Sequence, residues 1–169
     1  MIKLIKLSKQ YKKQFIDMMD EWTSTKEKII PYALTRINYQ YFDIFINDIE
    51  EVETNKVKVP SQLFFCFDTK NNKMLGAVVI REKLNTDLLQ RGGHIALGIR
   101  PSERNKGYGT LLVNLSINKC KELGINNILM VCDKQNIYSS KTIIKNNGIL
   151  ENEIKIENQI IQRYWIINN

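Results

Sequence analysis

Residues 104–110 read Arg-Asn-Lys-Gly-Tyr-Gly-Thr, a turn that joins two cations to two glycines and suits the holding of phosphate. The first backbone N–H groups of a helix lack internal partners and lie at the positive end of its dipole. A turn without side-chain bulk therefore lets an anion reach them. Gly107 and Gly109 supply that clearance, while Arg104 and Lys106 add charge. A Gly-x-Gly pair is more often only a turn, so its context decides. Ile95, Leu97 and Ile99 alternate as in a half-buried strand stopped by Pro101, and Tyr108, Leu111, Leu112, Leu115, Cys120 and Leu123 then recur at helical spacing. The segment reads as strand, turn and helix start, a cradle for phosphate.

A second group lies nearer the N-terminus. Glu21-Trp22 through Glu27-Lys28-Ile29-Ile30-Pro31-Tyr32 mixes carboxylates with aromatics, a combination that can hold an amine. Trp22 also fits the apolar stripe of a helix and reads as core; Glu27 and Tyr32 are the candidate contacts.

The elements that must position these residues follow from periodicity. Residues 2–7 form a strand. Tyr11, Phe15, Met18, Met19 and Trp22 mark one helix, and Ile37, Tyr41, Ile44, Phe45, Ile49 and Val52 a second. Strands over 63–67 and 74–80 pair as a hairpin, and 92–100 adds a strand ahead of the turn. A helix near 105–123, a strand at 127–132, a helix near 136–147 and two closing strands at 149–156 and 160–167 complete the chain. The stretches 50–58 and 83–91 read as long loops or short helical connections, and the three prolines lie at element edges. The order β-α-α-β-β-β-α-β-α-β-β implies an α/β (α+β) fold, a mixed sheet covered by helices, in one domain over 1–169.

Composition agrees. A chain of 169 residues with 43% hydrophobic content can fill one core. No apolar run of about 18 residues occurs and the N-terminus alternates rather than forming a signal core, so a soluble, cytoplasmic protein with no membrane partner is expected. Cys66, Cys120 and Cys132 are scattered along apolar stretches and read as buried thiols, giving neither a disulfide framework nor a metal site. The net charge of +7 raises the question of nucleic acid, but acidic residues interrupt the lysines and no basic stripe forms, so no nucleic-acid partner is expected. Neither Gly-x-Ser-x-Gly nor a nucleotide phosphate loop is present.

The Arg-x-x-Gly-x-Gly core of residues 104–109 resembles the acetyl-CoA pyrophosphate loop of the GNAT superfamily of N-acetyltransferases. The likeness extends to Gly92-Gly93-His94-Ile95, Ile99-Arg100-Pro101-Ser102-Glu103, Val131-Cys132-Asp133-Lys134-Gln135-Asn136, Lys145-Asn146-Asn147-Gly148-Ile149-Leu150-Glu151-Asn152-Glu153 and Gln162-Arg163-Tyr164-Trp165-Ile166, which are similar to a bacterial branch of predicted acetyltransferases. The resemblance implies a mostly antiparallel seven-stranded sheet with about four flanking helices, opened by a central splayed parallel pair, here 92–100 and 127–132. Acetyl-CoA, as co-substrate, would meet the backbone of Leu97, Gly98 and Ile99 and the turn Arg104, Asn105, Lys106, Gly107, Tyr108, Gly109 and Thr110. Asn136 matches an asparagine near the cofactor, and reads equally as a helix N-cap. Ser140 falls where relatives carry a small residue.

The implied chemistry is direct transfer of an acetyl group to a primary amine of a small molecule or peptide. The amine must shed a proton, and His94, the sole histidine, stands at the start of the strand beside the cofactor and is the candidate base; its other reading is a loop hydrogen bond. If its ring points away from the cleft, water or a carboxylate such as Glu27 takes the proton. The tyrosine that many relatives place four residues before a Gly-Phe pair is replaced by Ile144 ahead of Gly148-Ile149, leaving Tyr138 as the fallback acid or no acid at all. Tyr164-Trp165 could line the far wall. That missing tyrosine keeps a second function open, a non-catalytic acyl-CoA-binding or sensing module of the same fold. Either admits a homodimer.

Overall fold

Along 61–68 and 73–81 the apolar residues fall on both parities, so these strands must be covered on both faces. The computed structural model, which describes residues 1–54 and 59–167, shows this arrangement. Strands β1 (Ile2–Ile5), β2 (Ser61–Asp68), β3 (Lys73–Arg81) and β4 (Ile95–Ile99) form an antiparallel sheet in that order. Helices α1 (Lys12–Ser24) and α2 (Phe42–Thr54) cover one face. There Phe15, Met18, Met19, Trp22 and Phe45 pack on Leu63, Phe65, Ala77 and Val79. The opposite face carries Phe64, Cys66, Val78, Ile80, Ile95 and Ile99 against Leu112, Val113 and Cys120 of α4 (Tyr108–Glu122). Side chains from β5 (Asn127–Asp133) and β7 (Gln159–Ile167) close that second core.

The remaining elements are α3 (Thr86–Arg91), α5 (Ile137–Lys145) and β6 (Ile149–Ile156), with 3-10 turns at Lys9–Tyr11, Tyr32–Leu34 and Pro101–Glu103. Five α-helices are thus described where about four were expected. The addition is α3, whose N-cap Asn85 accepts from the Leu88 amide at 2.9 Å. Helix α2 begins at Phe42 rather than near Ile37, because Asn38 holds the preceding chain in a turn, its carbonyl accepting from the Tyr41 amide and its side chain from Gln40. It runs on to Thr54, so 50–54 takes the helical one of its two readings; 55–58 lie outside the described residues.

The expected single seven-stranded sheet is instead two sheets, β1-β2-β3-β4 and β5-β7-β6. Between β4 and β5 no ladder forms. His94 joins them just before β4, its amide donating to the Leu129 carbonyl at 2.8 Å. The Leu129 amide, which a ladder would satisfy with backbone, donates instead to His94 Nδ1 at 2.9 Å. Gly93 makes the approach possible: its φ is +67°, and a Cβ there would lie 2.4 Å from the Leu129 carbonyl oxygen. Beyond this clasp β4 keeps one edge without a strand partner, and Ala96, Leu97 and Gly98 are partly exposed.

Candidate functional site

The open edge of β4 leads into the glycine turn. Asn105 (φ +59°) and Gly107 (φ +84°) are left-handed, so α4 starts at Tyr108, three residues later than periodicity suggested. No side chain caps it. The amides of its first turn, which have no acceptors inside the helix, are therefore left for water or a ligand. A Cβ at Gly107 would meet nothing within 4 Å, and one at Gly109 only Thr142 Oγ1 at 3.8 Å, so space stands in front of those amides. Helix α5 fixes the turn from behind: buried Asn146 donates Nδ2 to the Thr110 carbonyl at 3.2 Å and to the Thr142 carbonyl at 2.9 Å. Asn146 lies in a motif that carried the family resemblance, but nothing in spacing alone marked it as a brace.

The cations of the turn are already paired. Arg104 donates Nη1 to Glu27 Oε2 at 2.9 Å, Nη2 to Glu27 Oε1 and Nε to the Ile99 carbonyl at 2.9 Å, with its guanidinium 5.9 Å from the Trp22 ring centre. Trp22, 2% exposed, is core, and its indole N–H donates to Glu27 Oε1 at 2.6 Å. The bonds from Arg104 hold the Glu27 carboxyl below its ordinary range; burial opposes this and Trp22 assists. Glu27 was expected to face an acceptor and Arg104 a phosphate, but in this structure each serves the other. Lys106 is likewise bound, to Glu103 Oε2 at 3.0 Å, and Glu103 also holds Lys73.

A frame that sequence reasoning missed lies beneath. Buried Arg100 donates to Asp17 Oδ2 at 2.8 Å, to Glu21 Oε2 through Nε at 2.7 Å, and to the Met74 carbonyl at 3.2 Å. Glu21 Oε1 accepts from the Ser102 amide at 2.7 Å. Burial raises the Glu21 carboxyl, and the bonds from Arg100 and Ser102 outweigh it, leaving it lowered. These contacts tie α1 to the entrance of the turn. The only sequence signal was a lone arginine directly after an apolar strand.

Several expected contacts take other roles. The Gly98 α-carbon is pressed under the α1–α2 connection, where a Cβ would lie 2.3 Å from the Ile30 carbonyl and 2.7 Å from the Trp22 ring; only its peptide groups remain for a ligand. His94 is buried, and its Nδ1 lone pair is taken by the Leu129 amide. Burial, and then the charge of Arg81, push its pKa down, so the ring is neutral near pH 7 with its proton on Nε2. That arrangement opposes a base at His94 and matches its other reading as a structural hydrogen bond. Asn136 caps α5, accepting from the Ser139 amide at 3.1 Å. Ser140 donates to the Ile137 carbonyl at 3.1 Å. Tyr138 is 70% exposed on α5, as is Ile144 to a lesser degree. Tyr164 is buried and bonds Gln162, so only Trp165 of that pair is partly exposed. Tyr32 is 71% exposed on the α1–α2 connection. Among the described residues no group of three His, Cys, Asp or Glu side chains could hold a metal ion, and no helix is long and apolar enough to cross a membrane. Burial raises the three cysteine thiols, Cys66 and Cys120 to about 12 and Cys132 to about 11.

An unpartnered strand edge running into an uncapped helix start offers backbone hydrogen bonds to an extended ligand and free amides to an anion. The model of the acetyltransferase (GNAT) family matches residues 17–142, and the chain belongs to that family of enzymes. No curated protein matches the sequence significantly. Solved structures share the fold. A GNAT-family acetyltransferase from Bacillus anthracis is 17% identical with a TM-score of 0.67, covering 99% of this chain and 95% of that one. The microcin C7 self-immunity acetyltransferase MccE, in complex with acetyl-CoA and AMP, is 16% identical with a TM-score of 0.67 over 98% and 92%. The spermidine/spermine N-acetyltransferase SpeG from Vibrio cholerae, in complex with manganese ions, is 13% identical with a TM-score of 0.66 over 99% and 92%.

Proposed function

We propose that this chain transfers an acetyl group from acetyl-CoA to a primary amine of a small molecule or peptide. The observation that carries the reading is the open, uncapped start of α4 behind Gly107, continuous with the free edge of β4. The amides of residues 105–110 would hold the pyrophosphate, with Arg104 and Lys106 exchanging carboxylate partners for phosphate. The peptide groups of Leu97 to Ile99 would bond the pantetheine arm in the gap between β4 and β5, flanked by Asn136 and Ser140. Bound acetyl-CoA supplies the thioester whose acetyl group the amine takes.

The chain's own residues then orient the amine and dispose of its proton. Glu27 is an acid of ordinary pKa about 4.3, so it stays a carboxylate near pH 7 and is free to receive an ammonium group once Arg104 turns to phosphate. Tyr32 on the same connection would provide an aromatic wall. With His94 committed to Leu129, the amine's proton leaves through water, directly or by way of Glu27. Tyr138 is open to solvent, and the departing thiolate is stable enough to be received by backbone amides, since a thiol is a far stronger acid than an alcohol, cysteine ionising at about 8.5. The reading is tested by calorimetric titration with CoA together with CoA release from acetyl-CoA across amines, amino acids and peptides. Binding with turnover upholds it. Binding without turnover over the whole panel would favour the acyl-CoA-binding module, and no CoA binding would overturn both.

A further inference from the structure

Pairing off the charged side chains that line one cavity leaves one cation over. The cavity, of about 160 Å³, opens between the α1–α2 connection, α2 and the β2–β3 ladder, with Tyr32, Arg36, Glu53, Leu63, Val79 and Arg81 in its lining. Arg36 is spent on Asp48, to which it donates Nε at 2.8 Å and also Nη2. Glu53 accepts from Lys6 Nζ at 2.7 Å and from the Leu63 amide at 2.9 Å. Arg81 differs. Its Nη1 donates to the Gly92 and Gly93 carbonyls at 3.2 and 3.1 Å, while Nε and Nη2 have no acceptor among the described residues. The group is thus held in place through one nitrogen, with its Nε–H and Nη2–H edge left over. That edge offers two parallel donors spaced for the two oxygens of a carboxylate.

The location fits an acceptor. Val79 pairs with Ala96 across the β3–β4 ladder, one residue before the Leu97–Ile99 stretch proposed for the pantetheine arm. The arm would lie against the opposite edge of β4, so the cavity is about two strand spacings, ~10 Å, from it. Its size suits a group no larger than one amino-acid residue, since a cavity of about 150 Å³ accommodates benzene. Its sign opposes a polyamine, because the described lining carries two arginines and one lysine-paired glutamate. Burial lowers the pKa of Arg81, the mark of a cation short of an anionic partner.

We infer that this cavity is the acceptor pocket and that the acceptor is a carboxylate-bearing amine, a free amino acid or a short peptide, whose carboxylate docks on the free edge of Arg81. The inference rests on the acetyltransferase reading, and the two can fail separately. The test is calorimetric titration of the full chain with matched pairs that differ by the carboxylate: L-lysine and 1,5-diaminopentane, L-ornithine and 1,4-diaminobutane, glycylglycine and its amide. In at least one pair the carboxylate member should bind about tenfold or more tightly, the scale of a charge-assisted pair of hydrogen bonds, and the pair that responds separates amino acid from peptide. The preference should fall below about threefold in Arg81→Gln and in Arg81→Lys, which keeps the charge and loses the fork. Should either variant unfold, L-lysine methyl ester and the other methyl esters, titrated into the wild-type chain, must lose the advantage. Equal or tighter binding of the decarboxylated members, binding of neither member of any pair, or a preference that survives substitution or esterification overturns the inference. CoA release is read in parallel: acetylation of 1,5-diaminopentane in preference to L-lysine keeps the transferase and sinks the carboxylate pocket, while carboxylate-dependent binding with no CoA release from any amine does the reverse.

Discussion

Replacing Gly109 separates the ligand's need for space from the fold's. Gly109 has no positive φ, and an added Cβ would have Thr142 Oγ1 at 3.8 Å as its nearest neighbour, an ordinary contact. Alanine in a helix is favoured over glycine by up to about 1 kcal/mol, less in a first turn, so Gly109→Ala should leave the melting temperature unchanged or slightly raised. The same methyl stands in front of the amides proposed to receive pyrophosphate. Displacing the anion from one charge-assisted hydrogen bond loses about 1.5–3 kcal/mol, roughly a 10- to 150-fold rise in the Kd for CoA. Gly109→Val should add bulk and weaken binding further. The contrast is Gly107→Ala, where the left-handed backbone (φ +84°) costs about 1–2 kcal/mol in the fold itself and should lower the melting temperature by roughly 2–8 °C. Thermal unfolding and calorimetry on the same samples decide it. A folded Gly109→Val variant that binds CoA with wild-type affinity would refute the assignment of the phosphate site.

Three further outcomes follow from the site. Glu27→Gln should free Arg104 from a half-exposed ion pair worth at most about 1 kcal/mol, tightening CoA up to about fivefold while raising KM for the acceptor amine; weaker CoA binding would show that the pair organises the site instead. His94 is held below its ordinary 6.5 in the folded chain, so the unfolded chain binds the extra proton first and stability falls as pH drops below about 6.5. His94→Leu should remove that acid-side loss, cost about 1–3 kcal/mol by stranding the Leu129 amide, and leave the kcat/KM pH profile without a lost limb; disappearance of an acidic limb would restore the histidine as base. Tyr138→Phe should change turnover less than about threefold, and a fall of 10²-fold with normal CoA binding would identify its phenol as the general acid.

The succession of elements and the character of the turn were legible along the chain. Apolar periodicity marks the long helices and the strands buried on one face, and an unbroken apolar run marks β2 and β3, which are buried on both; Gly107 and Gly109 are legible because missing side chains are a local property. Local signals also placed Trp22 in the core and allowed Asn136 to be read as a cap. Which charges and polar groups pair was settled by the folded chain. Arg104 and Glu27 lie 77 positions apart, Arg100 and Glu21 79, and Arg81 finds its carbonyl partners, Gly92 and Gly93, only across α3. The division into two sheets turns on a side chain, His94 Nδ1, satisfying an amide 35 positions away that a strand would otherwise bond. Such choices depend on distance and direction in the folded chain, and charge pairing and hydrogen bonding carry no period along the sequence from which they could be read.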